Sequence, residues 1–232
     1  MCTIVFAHGV FEGFALASNR DESYGRDFSP PSVTKHADGW YIAPRDDREG
    51  GTWVGYNDAG VVVTLSNLPV YDDETRSRGK LCGDLLRVSS VDEARSLLRD
   101  TYERHDYEGF NVVVGSSEAC FVGVNDGELR VVEPDEGLDV VTNSAYDNPG
   151  KKASAVAAEL PPPEGYTTQE EWLDETRTVL SSHDPEVCVH DEGRGTTSSS
   201  LVSVHEDTAD ASFRFADGHP CETPYAEYAP RA

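Results

Sequence analysis

Lysine is nearly missing from this chain of 232 residues: only Lys35, Lys80, Lys151 and Lys152 are present, against 43 Asp plus Glu. The formal net charge is −24, and the acids are spread along the chain rather than gathered in a tail. No basic patch exists to release counterions, which argues against nucleic acid and against an anionic membrane surface as partners. A dispersed acidic excess acts on the solvent instead. Net charge keeps a protein soluble at a cost in self-repulsion, and dense salt screens that repulsion, the Debye length falling to about 3 Å at 1 M. We therefore expect a protein of a high-salt cytoplasm, with a melting temperature that rises from low to molar KCl; a flat or falling curve would remove that expectation.

Other absences narrow the class. The five cysteines, Cys2, Cys82, Cys120, Cys188 and Cys221, contain no CxxC pair, so neither a zinc ribbon nor a thioredoxin-type motif is supported. No run of 18 apolar residues occurs, and no membrane span is expected. The opening MCTIVFAHGV lacks the charged n-region of a signal peptide. A reducing cytoplasm with free thiols is the expected compartment.

What is present begins at Cys2. If Met1 is removed, Cys2 carries both a thiol and a free α-amine, with unperturbed pKa values of about 8.5 and about 7.7–8.0. One residue then combines nucleophile and base, the N-terminal variant of the usual pair. Alone, Cys2 reads equally as a small buried strand residue. Asn19-Arg20-Asp21-Glu22 follows one hairpin later. Asp21 can hold and orient an α-ammonium, and Arg20 can pair a substrate carboxylate or steady Asp21 and Glu22. Asn19, Glu22 and Trp53 are further candidates for substrate contact. Asn67 and Asn143 each end an apolar strand, where a side-chain amide and neighbouring backbone N–H groups suit an oxyanion; a strand-ending turn would use the same residue.

Residues 2–7 and 14–18 read as paired strands with a turn at 8–13. Residues 24–39 read as a loop with Pro30-Pro31. Strands are expected at 40–43, 53–56 and 61–66, helices near 78–87 and 91–104, then four short strands at 110–115, 119–124, 128–133 and 138–142. Residues 150–160 form a helix, and Thr168 with Glu171 resembles a capping box opening another. Residues 183–196 read as a polar loop, 200–205 and 212–216 as closing strands, and 217–232 as a loosely structured tail. This order suits one α+β domain, 1–232, with two antiparallel sheets between helices. Gly50-Gly51-Thr52-Trp53 lacks the lysine of a phosphate-binding loop. His183, Cys188 and His190, with His219 and Cys221 further on, match no recurrent zinc spacing and read as surface residues of an acidic loop, so no metal is expected.

The ordered segments MCTIVFA, LASNRDE, GGTWVGYNDAGVVVTLSN, SRGKLCGDLL, GFNVVVG and VVTNSAYDNPGKK resemble the signatures of the NRDE family, that of the transport and Golgi organisation protein 2. That family in turn resembles N-terminal nucleophile hydrolases of the choloylglycine hydrolase and penicillin acylase type. The resemblance implies a four-layer αββα sandwich with Cys2 as nucleophile, Asp21 as orienting residue, and Asn67 and Asn143 at oxyanion and substrate-orienting positions. It implies a small-molecule amide as substrate and no required cofactor. The alternative it carries is a carrier of haem or acyl-lipid (acyl-CoA) on the same scaffold. Two places depart from the pattern. Ser18 stands where the hydrolases carry an arginine, and Thr197 stands where the family often has one; Arg194, three residues earlier, is the candidate replacement.

Overall fold

The computed structural model describes residues 2–71 and 75–230. In chain order its strands are β1 (Thr3–His8), β2 (Gly13–Ser23), β3 (Phe28–His36), β4 (Gly39–Asp46), β5 (Val54–Asn57), β6 (Val62–Asn67), β7 (Phe110–Gly115), β8 (Cys120–Asn125), β9 (Leu129–Val132), β10 (Gly137–Val141), β11 (His190–Asp191), β12 (Arg194–His205), β13 (Ser212–Ala216) and β14 (Ala226–Glu227). The helices are α1 (Arg78–Leu85), α2 (Val91–Arg104), α3 (Lys151–Glu159) and α4 (Gln169–Leu180). One antiparallel sheet runs β10-β1-β2-β12-β13-β14, with β11 added to β12. The other runs β3-β4-β5-β6-β7-β8-β9.

Strand alternation assigns the layers. Ile4, Phe6, Phe14 and Leu16 face the second sheet and meet Val54, Val62, Val113 and Val122. Their neighbours Val5, Ala7, Ala15 and Ala17 face the other way, against Val156, Trp172 and Leu173 of α3 and α4. On the far side, Val63, Val112 and Val114 pack on Leu81, Leu85 and Leu98 of α1 and α2. Strands buried on both faces read as unbroken apolar runs, which is how 61–66 and 110–115 appear in the sequence. The product is a four-layer αββα sandwich. The cap of α4 is as expected: Thr168 Oγ1 accepts from the Glu171 N–H at 3.3 Å, and Glu171 Oε2 accepts from the Thr167 N–H at 3.3 Å. No helix among the described residues is long and apolar enough to cross a membrane.

Four expectations need correction. β2 does not stop at Ser18 but continues to Ser23, so Asn19-Arg20-Asp21-Glu22 lies inside a strand. The expected loop 24–39 contains β3, an edge strand where Pro30 and Pro31 are tolerated because an edge needs fewer donors. The loop 183–196 contains β11 and the start of β12, and it brings His183, Cys188 and His190 against His219 and Cys221. The segment after 216 is held rather than loose. Tyr225 donates to Ser199 Oγ at 2.6 Å, the Pro220 carbonyl accepts from Ser181 Oγ at 3.1 Å, and β14 pairs with β13. Met1 and the tail residues 231–232 lie outside the described residues.

Candidate active site

The continuation of β2 sorts its four polar residues by parity. Leu16, Ser18, Arg20 and Glu22 share the inner face, while Ala17, Asn19 and Asp21 share the face toward α4. Arg20 is 7% exposed. Its guanidinium lies 4.4 Å from the Trp53 ring centroid and 5.5 Å from that of Phe28, a cation–π stack. It donates to Asp46 at 3.2 Å and lies 3.8 Å from Glu22. Asp46 also accepts from Arg26 Nε at 2.6 Å and from the Glu49 N–H at 2.9 Å. Burial alone would raise the Asp46 carboxyl; the bonds from Arg26 and Glu49 and the charges of both arginines outweigh it and hold it below its ordinary value.

Asn19 corrects the expectation of substrate contact. It is buried on the opposite face, donating to the Leu180 carbonyl at 2.8 Å and the Val187 carbonyl at 3.0 Å. It closes the C-terminal end of α4, whose last carbonyls have no helical partner. Asp21 shares that face, and Thr196 Oγ1 donates to its Oδ1 at 2.6 Å.

Register places Cys2. Thr3 pairs with Asn19 and Ile4 with Val141. Both ladders end there, so Cys2 directly precedes the strand that runs between β2 and β10, one residue before the Thr3–Asn19 pair. Its Sγ lies 4.0 Å from the Asp21 carbonyl oxygen. Burial pushes the thiol pKa up and the Asp21 carboxylate adds to this, while the contact with the Asp21 carbonyl and the charge of Arg20 pull it down.

Asn143 and Asn67 come together: Asn143 Nδ2 donates to the Asn67 carbonyl at 2.6 Å. Asn143 Oδ1 is buried with no hydrogen-bond partner among the described residues. The segment carrying Asn143 is sewn to the second sheet by Asn111, a residue that sequence reading passed over. Its Nδ2 donates to the carbonyls of Thr142 and Ser144 at 3.2 and 2.9 Å, and its Oδ1 accepts from the Tyr146 N–H at 3.1 Å. Ser66 Oγ adds a bond to the Thr142 carbonyl at 2.8 Å.

These groups border a cleft of about 330 Å³ whose wall takes in Arg20, Glu22, Trp53 and Asn67. Four more arginines line it, Arg26, Arg48, Arg76 and Arg78, so five of the 15 arginines of an acidic chain converge on one cleft. Among its described wall residues, Trp53 and Leu65 are the only large apolar ones, and Cys2 stands next to the wall rather than in it. Gly50-Gly51 serves a close approach, not an anion: a Cβ on Gly51 would lie 2.3 Å from the Gly79 carbonyl carbon, and the Thr52 N–H donates to the Gly79 carbonyl at 3.0 Å. That contact seats the start of α1, and with it Arg78, at the cleft. Arg194 is exposed at the start of β12 and is not part of the cleft wall. Thr197 sits in a β-bulge of β12. The extra residue turns its hydroxyl to the inner face, where it accepts from Arg20 NH1 at 3.1 Å, while Thr196 turns outward to Asp21.

The architecture matches solved N-terminal nucleophile hydrolases. Penicillin V acylase from Agrobacterium tumefaciens aligns with a TM-score of 0.60 at 14% identity, covering 94% of this chain and 83% of its own. The Caenorhabditis elegans N-acylethanolamine-hydrolyzing acid amidase ortholog aligns at 0.58 and 12%, covering 99% and 100%. A variant of conjugated bile acid hydrolase from Clostridium perfringens aligns at 0.57 and 11%, covering 99% and 97%. In sequence, the human Transport and Golgi organization protein 2 homolog is 31% identical over 153 residues, and the bovine homolog is 30% identical over the same length. Each alignment covers 59% of this chain and 52% of the relative, so the chain spans about half the length of the curated relatives it matches. The Transport and Golgi organisation 2 family model matches residues 1–192, and the chain belongs to that family.

Proposed function

We propose that this chain is a cysteine amidohydrolase acting on a small, non-peptide amide that carries an acidic group. The observation that supports the reading is Cys2 at the head of β1, its Sγ 4.0 Å from the Asp21 carbonyl oxygen, on a strand flanked by β2 and β10 and near a cleft lined by five arginines. Removal of Met1 would free the Cys2 α-amine. Burial of the sulfur pushes the thiol pKa up, so a base beside it favours attack, and that amine is the nearest by construction. It takes the thiol proton as sulfur attacks the amide carbonyl, and returns it to the leaving amine as the C–N bond breaks. Asn143, with the Asn67 region, donates to the oxyanion, where one donor is worth on the order of 100-fold in rate. Water then hydrolyses the thioester and restores the thiol. Asp21 orients the amine through its Thr196-anchored carboxylate, and the cleft arginines take the acidic group of the substrate.

The polar wall supports this reading over a haem or acyl-lipid carrier, since Trp53 and Leu65 give an apolar ligand little surface to cover. Intact mass of the purified protein together with turnover of an N-acyl amino acid panel tests the proposal. Loss of Met1, and turnover that Cys2→Ala lowers by at least about 1000-fold, are expected, because the variant keeps the α-amine base but has no sulfur to form the acyl-enzyme. A retained Met1, or turnover unchanged in Cys2→Ala, overturns it.

A further inference from the structure

On the outer face, far in sequence from Cys2, three donor atoms form a small triangle. Cys188 Sγ lies 3.5 Å from Cys221 Sγ and 3.4 Å from His190 Nε2, and His190 Nε2 lies 3.2 Å from Cys221 Sγ. A tetrahedral zinc site, with Zn–S about 2.3 Å and Zn–N about 2.0–2.1 Å, spaces two sulfurs about 3.8 Å apart and a sulfur and a nitrogen about 3.5 Å apart. The observed edges are within a few tenths of an ångström of these. A fourth donor is at hand. The rings of His183 and His190 stand 5.0 Å apart, edge to face, and two imidazoles on one tetrahedral ion hold their ring centres about 5 Å apart. His183 Nδ1 lies 2.9 Å from the Cys188 carbonyl oxygen. Donation there leaves Nε2 to face an ion, the usual outer-shell arrangement of a metal-bound histidine. His219 lies within 4.8 Å of the Cys188 and His190 donor atoms, but it stacks on His190 at 3.8 Å and 21°, nearer and more parallel than the edge-to-face His183, and so props the His190 ring.

We propose that His183, Cys188, His190 and Cys221 bind one zinc-type divalent cation. Two thiolates and two imidazoles are the donor set such an ion prefers over the oxygen-seeking Mg²⁺ and Ca²⁺. The ion is structural: four protein donors close its coordination. It clasps the C-terminal segment at Cys221 to the loop at Cys188. That loop also holds the outer face of β2, because the Val187 carbonyl accepts from Asn19 and the Val189 N–H donates to Thr196 Oγ1, which donates to Asp21. Zinc spacing rules miss the site because its first three donors, His183, Cys188 and His190, are separated from Cys221 by 31 residues.

The test uses the full chain, reduced, stripped with chelator and titrated with Co²⁺ and then Zn²⁺. Wild type is expected to take up one Co²⁺ with a thiolate-to-cobalt charge-transfer band, which Zn²⁺ bleaches, and its melting temperature is expected to rise with Zn²⁺. Cys221→Ser and His190→Ala, both at exposed positions, are expected to lose the band while staying folded by circular dichroism. Cys2→Ala is expected to keep it. No stoichiometric charge-transfer band in the reduced wild type overturns the proposal. A band unchanged in Cys221→Ser, or one lost in Cys2→Ala, does so as well.

Discussion

The two faces of β2 differ more than their shared sequence suggests. Arg20 and Glu22 face inward to the cleft, on Trp53 and beside Asp46. Asn19 and Asp21 face outward, tied to the end of α4 and to β12. Four adjacent polar residues thus divide into two pairs, one turned to the cleft and one tied to the frame around α4 and β12. The bulge at Thr197 makes the same division on the neighbouring strand: Thr196 serves the frame and Thr197 serves Arg20. The cleft-facing Arg20 is therefore fixed from beneath by residues one position away in sequence.

The largest expected effect that would break this comparison is on the frame. Asn19→Ala leaves the buried Leu180 carbonyl without its side-chain donor and the Val187 carbonyl with only the long 3.5 Å contact from Thr196 Oγ1. At about 1–3 kcal/mol for a buried group left unpaired, stability is expected to fall by roughly 2–3 kcal/mol in urea denaturation. The Michaelis constant of the folded protein is expected to move little. A raised Michaelis constant with no loss of stability would put Asn19 in the cleft and end the distinction.

Arg20→Lys addresses the inner face. Lysine cannot stack on Trp53 as a plane while donating to Asp46 and to the Thr197 hydroxyl, so the exchange is not conservative. Loss of one charge-assisted hydrogen bond to an acidic substrate costs about 1.5–3 kcal/mol, a roughly 10- to 100-fold rise in the Michaelis constant. The turnover number is expected to hold. Equal losses for acidic and neutral amides would show that Arg20 serves the frame after all.

How much of this was legible follows the same line. The layers could be read because apolar residues fill 2–7, 14–18, 61–66 and 110–115 and helices bracket them. The end of β2 could not: after Ser18 every residue to Ser23 is polar, so alternation carries no contrast. β3 was hidden for a related reason, since an edge strand with two prolines has neither the apolar run nor the donors of a central one. Cys2, Asp21, Asn67 and Asn143 could be proposed from their order along the chain. Arg26, Asp46 and Arg78 could not, because ordinary charged residues acquire a role only when separate loops converge. Asn111 did leave a signal: a polar amide inside the apolar FNVVVG strand must find partners when buried, and it finds them in the segment that carries Asn143.

The smallest expected effect concerns the carboxylate that steadies the inner face. The folded pKa of Asp46 is held below its ordinary value, so the unfolded chain binds its proton more readily. The stability it contributes is then present above about pH 4, the unfolded carboxyl value, and is lost as pH falls through the lower folded value. Asp46→Asn removes that contribution, and we expect a loss of about 1 kcal/mol near neutrality, the scale of one hydrogen bond. Urea midpoints measured from pH 6 to pH 2 for wild type and variant should draw together as pH falls through the lowered folded value, below which Asp46 is protonated in both folded and unfolded chains. Acid also neutralises the chain's many other carboxylates, but that relief is common to the two proteins and cancels in their difference. A gap that stays constant to pH 2 would mean that Asp46 acts by shape rather than charge, and that the inner face does not depend on an ionised partner for Arg20.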